Sequence, residues 1–272
     1  MSENEPRQLS LFELDPAPEP ALGAEPDGPG SSDLSDKSDQ SVESVESDPP
    51  PAPAPLNPPL AEIRIPREAR MQQISAHCCV CEACGLAETR TQVVFGEGNA
   101  RSPLVIVGEG PGEQEDATGR PFVGRAGALL DKALRENGIA RQHVWITNVL
   151  KCRACVVEGR RVANRPPRID EVEACHTWLE QEIGTISPRV ILCLGGPAAS
   201  WVIHPDFKIT RERGKWFPTK WAQAAMATLH PAYVLRQEGA AYDEARATLV
   251  RDIGEAKSKA IELLKKAPAG KD

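Results

Sequence analysis

Leu104-Val105-Ile106-Val107-Gly108-Glu109-Gly110-Pro111-Gly112 is the stretch that decides the fold. Four successive apolar residues, three of them β-branched, run into a turn of glycine and proline. Such a run is short for a helix and lacks alternation, so it reads as a strand buried on both faces. Residues 144–149, 190–194 and 225–229 read the same way. Helical patterns fill the intervals near 124–137, 169–186, 196–203 and 241–265. Strands alternating with helices predict an α/β fold of three layers, α/β/α, around a central parallel four-stranded sheet. In such sheets ligands bind beyond the carboxyl ends of the strands.

Composition divides the chain. Residues 1–60 hold 13 of the 25 prolines and 13 acidic against 2 basic residues, a net charge of −11. The remainder carries 30 basic and 26 acidic residues, a net of +4, so the whole-chain value of −7 conceals a mildly basic body suited to a polyanionic partner. Residues 1–62 have too little apolar side chain to offset their ordering entropy and are expected to be a disordered tail. Residues 63–265 form the expected folded domain, and 266–272 a flexible end. No apolar run approaches the roughly 20 residues of a membrane span, and the start lacks the basic-then-apolar pattern of a secretory signal. A cytoplasmic protein is expected, and there eight cysteines point to metal or redox chemistry rather than disulfides.

Each strand end carries a distinctive segment. The first is the turn at 108–112, and the second is Asn148-Val149-Leu150-Lys151-Cys152. The third is Gly195-Gly196-Pro197, and the fourth is His230-Pro231-Ala232-Tyr233-Val234-Leu235-Arg236. Any one alone is an ordinary tight turn, and Pro111 interrupts a dinucleotide fingerprint. Taken in order with Gly119-Arg120-Pro121-Phe122-Val123-Gly124-Arg125-Ala126-Gly127, they resemble the motif blocks of the family 4, iron–sulfur uracil-DNA glycosylases over roughly residues 75–255. That family's three-layer fold agrees with the strand–helix reading.

Cys81 and Cys84 form a C-x-x-C pair, with Cys152 and Cys175 far downstream. Such spacing suits one metal centre but does not separate zinc from a cluster. The resemblance implies a [4Fe–4S] cluster on Cys81, Cys84, Cys152 and Cys175. Cys78 and Cys79 offer alternatives to the first pair, and Cys155 an alternative to Cys152. Cys193, inside an apolar strand, reads as core.

The resemblance also implies uracil-containing DNA as partner, with the target nucleotide flipped into a pocket. Phe122 would stack on the base. Asn148 would read it, accepting from N3–H and donating to O4, a pattern that cytosine reverses. His230 would donate to the uracil oxygen as charge develops there. Glu109 is the candidate for orienting water or stabilising the cationic sugar. The best-known uracil glycosylases carry a carboxylate where this chain has Gly110. Gly110 and Gly112 would lie against the substrate, while Leu235 and Arg236 would wedge the stack and hold phosphates.

An insert after the third cysteine contains Arg160 and Arg161, expected to meet DNA phosphate. A related branch traps uracil-DNA covalently through a histidine in such an insert. Ala163 stands there instead, so turnover is expected.

In the tail, Gln8, Leu9, Leu11 and Phe12 fall in a five-residue cluster that resembles the peptide by which bacterial repair proteins grip the sliding clamp. Together these readings imply a monomeric, nucleoid-associated enzyme that starts base excision repair. The competing reading is a non-catalytic, uracil-DNA-binding damage sensor recruited to the clamp.

Overall fold

The computed structural model describes residues 65–159 and 161–266. The tail at 1–62, the clamp-like peptide with Gln8, Leu9, Leu11 and Phe12, Arg160 and residues 267–272 lie outside them. In chain order the main elements are α1 (Arg67–Cys79), β1 (Glu97–Gly98), β2 (Leu104–Gly108), α2 (Glu113–Thr118), α3 (Arg125–Glu136) and β3 (Trp145–Asn148). They continue with β4 (Cys155–Glu158), β5 (Arg161–Asn164), α4 (Ile169–Ile186), β6 (Val190–Leu194) and α5 (Gly196–Val202). The last are α6 (Ile209–Glu212), β7 (Ala224–Thr228), α7 (Pro231–Val234) and α8 (Gly239–Lys266).

The sheet order is β1-β3-β2-β6-β7. The four strands expected from the apolar runs are mutually parallel, and β1 adds a two-residue antiparallel edge. Alternation explains why these runs are apolar throughout. Val105 and Val107 face one layer, with the buried sides of α1, α4 and α5. Leu104 and Ile106 face the other, with α3, α7 and α8. A strand sandwiched between two helical layers has no solvent face to mark with polar residues. The expected three-layer α/β/α architecture is present, with one strand more than the apolar runs indicate.

Two further elements differ from the sequence reading. The basic insert is a β-hairpin, β4 paired with β5. The segment around Cys78 and Cys79 is helical, and α1 packs on the core through Met71, Ile74 and Cys78. Among the described residues no helix is long and apolar enough to cross a membrane.

Candidate active site

The site is built where β2 and β3 end side by side. Gly108 pairs in register with Asn148. A Cβ at Gly108 would fall 2.3 Å from Asn148 Oδ1 and 2.4 Å from Phe122 Cζ. Glycine here lets an amide and an aromatic ring close over the strand end.

Asn148 is buried, yet its Oδ1 has no hydrogen-bond partner. A buried amide oxygen without a donor is costly in a folded protein, and is a mark of a site waiting for a ligand. Its backbone is firmly held. Lys151 Nζ, itself buried, donates to the Asn148 carbonyl at 2.8 Å, to Thr147 Oγ1 at 2.7 Å and to Glu182 Oε2 at 2.5 Å. Glu182 also accepts from Thr147 Oγ1 at 2.7 Å and from the Gly96 amide at 2.9 Å.

Phe122 has φ +52°, a left-handed backbone uncommon for an aromatic residue. Several contacts over-determine it. Arg141 donates to the carbonyls of Pro121 and Phe122, while Glu115 Oε1 accepts from the amides of Val123 and Gly124 at 2.9 and 2.8 Å. A Cβ at Gly127 would meet the Phe122 carbonyl oxygen at 1.8 Å, so α3 packs directly on this turn. Strain held this firmly is characteristic of functional sites. The Phe122 ring lies 5.9 Å from that of His230, tilted by 35°.

His230 sits at the entrance to α7, and its Nδ1 accepts from the Ala232 amide at 3.0 Å. That bond fixes the tautomer, leaving the proton on Nε2. Burial, followed by the positive charge of Arg236, depresses its pKa to about 4 against an upward pull from Glu115. The ring is therefore a neutral Nε2–H donor at neutral pH.

Glu109, Gly110, Gly112, Phe122, Asn148 and His230, expected as site residues, line one cavity of about 280 Å3. Burial raises the Glu109 pKa. The Gly112 amide donates to Glu115 Oε2 at 3.1 Å, so it is already engaged inside the protein. Leu235 packs partly against the core layer of α3 and α8, whereas Arg236 is exposed. Arg161 is exposed on the hairpin.

A model of the uracil-DNA glycosylase superfamily matches residues 95–254. The chain is 44% identical to the type-4 uracil-DNA glycosylase of Thermotoga maritima over 71% of its own length and 95% of that protein. It belongs to this superfamily, in the type-4 branch. Type-4 uracil-DNA glycosylases of Archaeoglobus fulgidus and Sulfurisphaera tokodaii are 41% and 38% identical, over 57% and 61% of this chain and 78% and 76% of theirs.

In this member of the type-4 branch a second, smaller cavity adjoins Lys151, lined by Cys81, Cys84, Cys152 and Cys175 together with Cys78. Arg90 Nη1 donates to Cys152 Sγ at 3.6 Å, the Lys151 amide to Cys175 Sγ at 3.2 Å and Trp178 Nε1 to Cys81 Sγ at 3.3 Å. Burial pushes the Cys175 thiol up to about 12 against the pull of Lys151, and raises Cys152 as well. Cys79 is exposed, Cys155 begins β4 away from this lining, and Cys193 is fully buried in β6. No three His, Cys, Asp or Glu side chains among the described residues converge on a single ion position.

Sequence reading missed three parts of this type-4 site. Arg141 shapes the Phe122 turn, Leu150 forms a wall, and Asn164 reaches the cavity from the hairpin. Glu115, which the sequence offers as a loop-supporting alternative to Glu109, holds the Phe122 turn from the other side and stands at capping-box spacing from Gly112.

Proposed function

We propose that the protein is a uracil-DNA glycosylase that flips uracil out of DNA and hydrolyses its N-glycosidic bond, the opening step of base excision repair. The observation that carries this reading is the buried, unpartnered Oδ1 of Asn148 at the floor of the cavity. Uracil N3–H supplies the missing donor, and the Asn148 amide N–H2 supplies one for O4. Cytosine has an acceptor at N3 and a donor at C4, so it leaves both groups opposed.

Phe122 stacks on the flipped base. As the bond breaks, negative charge builds on uracil, and the neutral Nε2–H of His230 donates to the oxygen that receives it. Glu109 orients the attacking water or stabilises the cationic sugar. Gly110 and Gly112 let the chain lie close to the substrate. Arg236, Arg160 and Arg161 meet phosphates, and Leu235 supports the loop beneath Arg236.

The cysteine cavity fits an iron–sulfur cluster. Each iron of a [4Fe–4S] cluster takes one thiolate, so its ligands surround a volume rather than converge on a point. Buried and half-buried thiols that receive N–H donors from Arg90, Lys151 and Trp178 suit that chemistry. Cys81, Cys84, Cys152 and Cys175 would hold the group, which would pin the loops beside the DNA surface. Cys78 lies on the same cavity, so Cys78→Ser should leave the cluster absorbance intact.

The test is release of free uracil from uracil-containing single- and double-stranded DNA by purified protein. His230→Ala and Asn148→Ala should each slow release by about 100-fold or more while the fold remains. Tight binding without release would favour the damage-sensing alternative. The cytoplasmic, monomeric state and clamp docking belong to the same proposal; Leu11→Ala with Phe12→Ala should abolish clamp binding and spare base release.

A further inference from the structure

The segment 153–168 carries five arginines and one glutamate, and folds as the β4–β5 hairpin. Its register pairs Cys155 with Asn164, Val156 with Ala163, Val157 with Val162, and Glu158 with Arg161. Side chains alternate along a strand, so Val162 stands on the same face as Asn164, and Val157 beside it. Asn164 lines the uracil cavity. The Val157–Val162 pair therefore continues the cavity wall outward by two residues, about 7 Å. Both side chains are open to solvent, Val157 by 56% and Val162 by 45%.

The base of the hairpin is anchored. Arg153 Nε donates to Asn164 Oδ1 at 2.7 Å, and Arg165 Nε donates to the Cys155 carbonyl at 3.1 Å. Arg165 also pairs with Glu171 at the start of α4. An apolar pair is thus held at the rim of a cavity built for an extruded base. The loop after His230 offers little of this kind. Val234 is fully buried and Leu235 packs on the core, leaving Tyr233 exposed.

We propose that Val157 and Val162 form a wedge that enters the base stack of duplex DNA beside the flipped nucleotide, while the exposed Arg161 and Arg168 of the same segment neutralise its phosphates. The proposal rests on the uracil-DNA reading and adds the element that opens the duplex. Apolar wedges between base steps are an established means of unstacking. The charge of the segment suits a polyanion. The valine pair shares its hairpin face with Asn164, one of the cavity's lining residues.

The experiment compares single-turnover uracil release from a duplex and from a short single strand of the same sequence. Val157→Ser with Val162→Ser should slow release from the duplex by at least about tenfold, the scale of an unstacking cost. Release from the single strand should stay within about twofold, because nothing there needs prising apart. A 2-aminopurine placed beside the uracil should lose its binding-induced fluorescence rise in the duplex. Val156→Ser, on the opposite face, should behave as wild type. Unchanged duplex activity overturns the proposal. So does an equal loss on both substrates, an equal loss in Val156→Ser, or transfer of the duplex-selective loss to Tyr233→Ser. Absence of release from both substrates by the wild-type protein would instead defeat the glycosylase reading.

Discussion

His230 can be tested as a neutral donor by its response to pH. At a pKa of about 4, only about one imidazole in a thousand is protonated at pH 7. Reaching the imidazolium would then cost about 4 kcal/mol, more than a positively charged donor is expected to return over a neutral one. A reaction that required the cation would slow about tenfold per unit from pH 6 to pH 8. A neutral Nε2–H donor gives a level rate across that range. Removing the donor with His230→Ala should cost about 100- to 1,000-fold in single-turnover rate. Ring nitrogen NMR, with His230→Gln to identify its signal among the five histidines, should show the Nε2–H tautomer with no titration above pH 5. Stability provides an independent readout. The folded pKa is depressed, so the unfolded state takes up a proton first as pH falls below about 6.5, and stability is lost down to about pH 4. The loss approaches about 3 kcal/mol, and His230→Gln should remove it. A His230 titration midpoint between 6 and 7, or a rate falling tenfold per unit above pH 6, would refute this reasoning.

Breaking the Lys151–Glu182 pair by Lys151→Met leaves a fully buried carboxylate short of its cation. Denaturation should show a loss of about 3–5 kcal/mol, partly recovered when Glu182 is also made apolar. Gly127→Ala drives a methyl into the Phe122 carbonyl. It should depress uracil release far more than it depresses the thermal midpoint, because Gly127 seats the stacking ring. Glu109→Gln should lower the single-turnover rate and remove its acid limb. Because burial raises the folded pKa of Glu109 above its unfolded value, stability is lost as pH rises from the ordinary carboxylate range through the folded value, and the loss is complete above it. The same variant should therefore be more stable at neutral pH, as a melting curve would register.

The architecture was legible because both faces of the sheet are buried. Runs such as residues 190–194 have no reason to alternate, and appear in the sequence as uninterrupted strands. β1 escaped because two residues, Glu97 and Gly98, carry no period. α1 escaped because only Met71, Ile74 and Cys78 of its thirteen residues are buried. The hairpin was hidden by its own exposure, since Val156, Val157 and Val162 look like stray valines in a basic segment until pairing brings two together. In the site, residues bearing distinctive chemistry at strand ends could be named in advance. Arg141 could not: it reaches back 19 residues to the Phe122 carbonyl from a connection with no motif. Positioning by a distant side chain is a property of the folded chain.

Gly110 and the two nearby glutamates show how the site divides its work. A Cβ at Gly110 would lie 3.4 Å from Leu150 Cβ, an ordinary contact with a buried wall of the cavity, so it is the glycine itself, not a lack of room, that leaves position 110 without a carboxylate. The acidic group must come from a neighbour. Glu115 lines the cavity, but its oxygens accept three backbone amides, from Gly112, Val123 and Gly124. Those bonds shape the loop and occupy the oxygens of the group. Glu109 lines the same cavity, and the influence on its pKa is desolvation. A carboxylate whose pKa is raised by burial is a better proton acceptor than an ordinary one. On the proposed reading the loop assigns structure to Glu115 and leaves Glu109 to meet the water, one residue before the position where this chain has glycine.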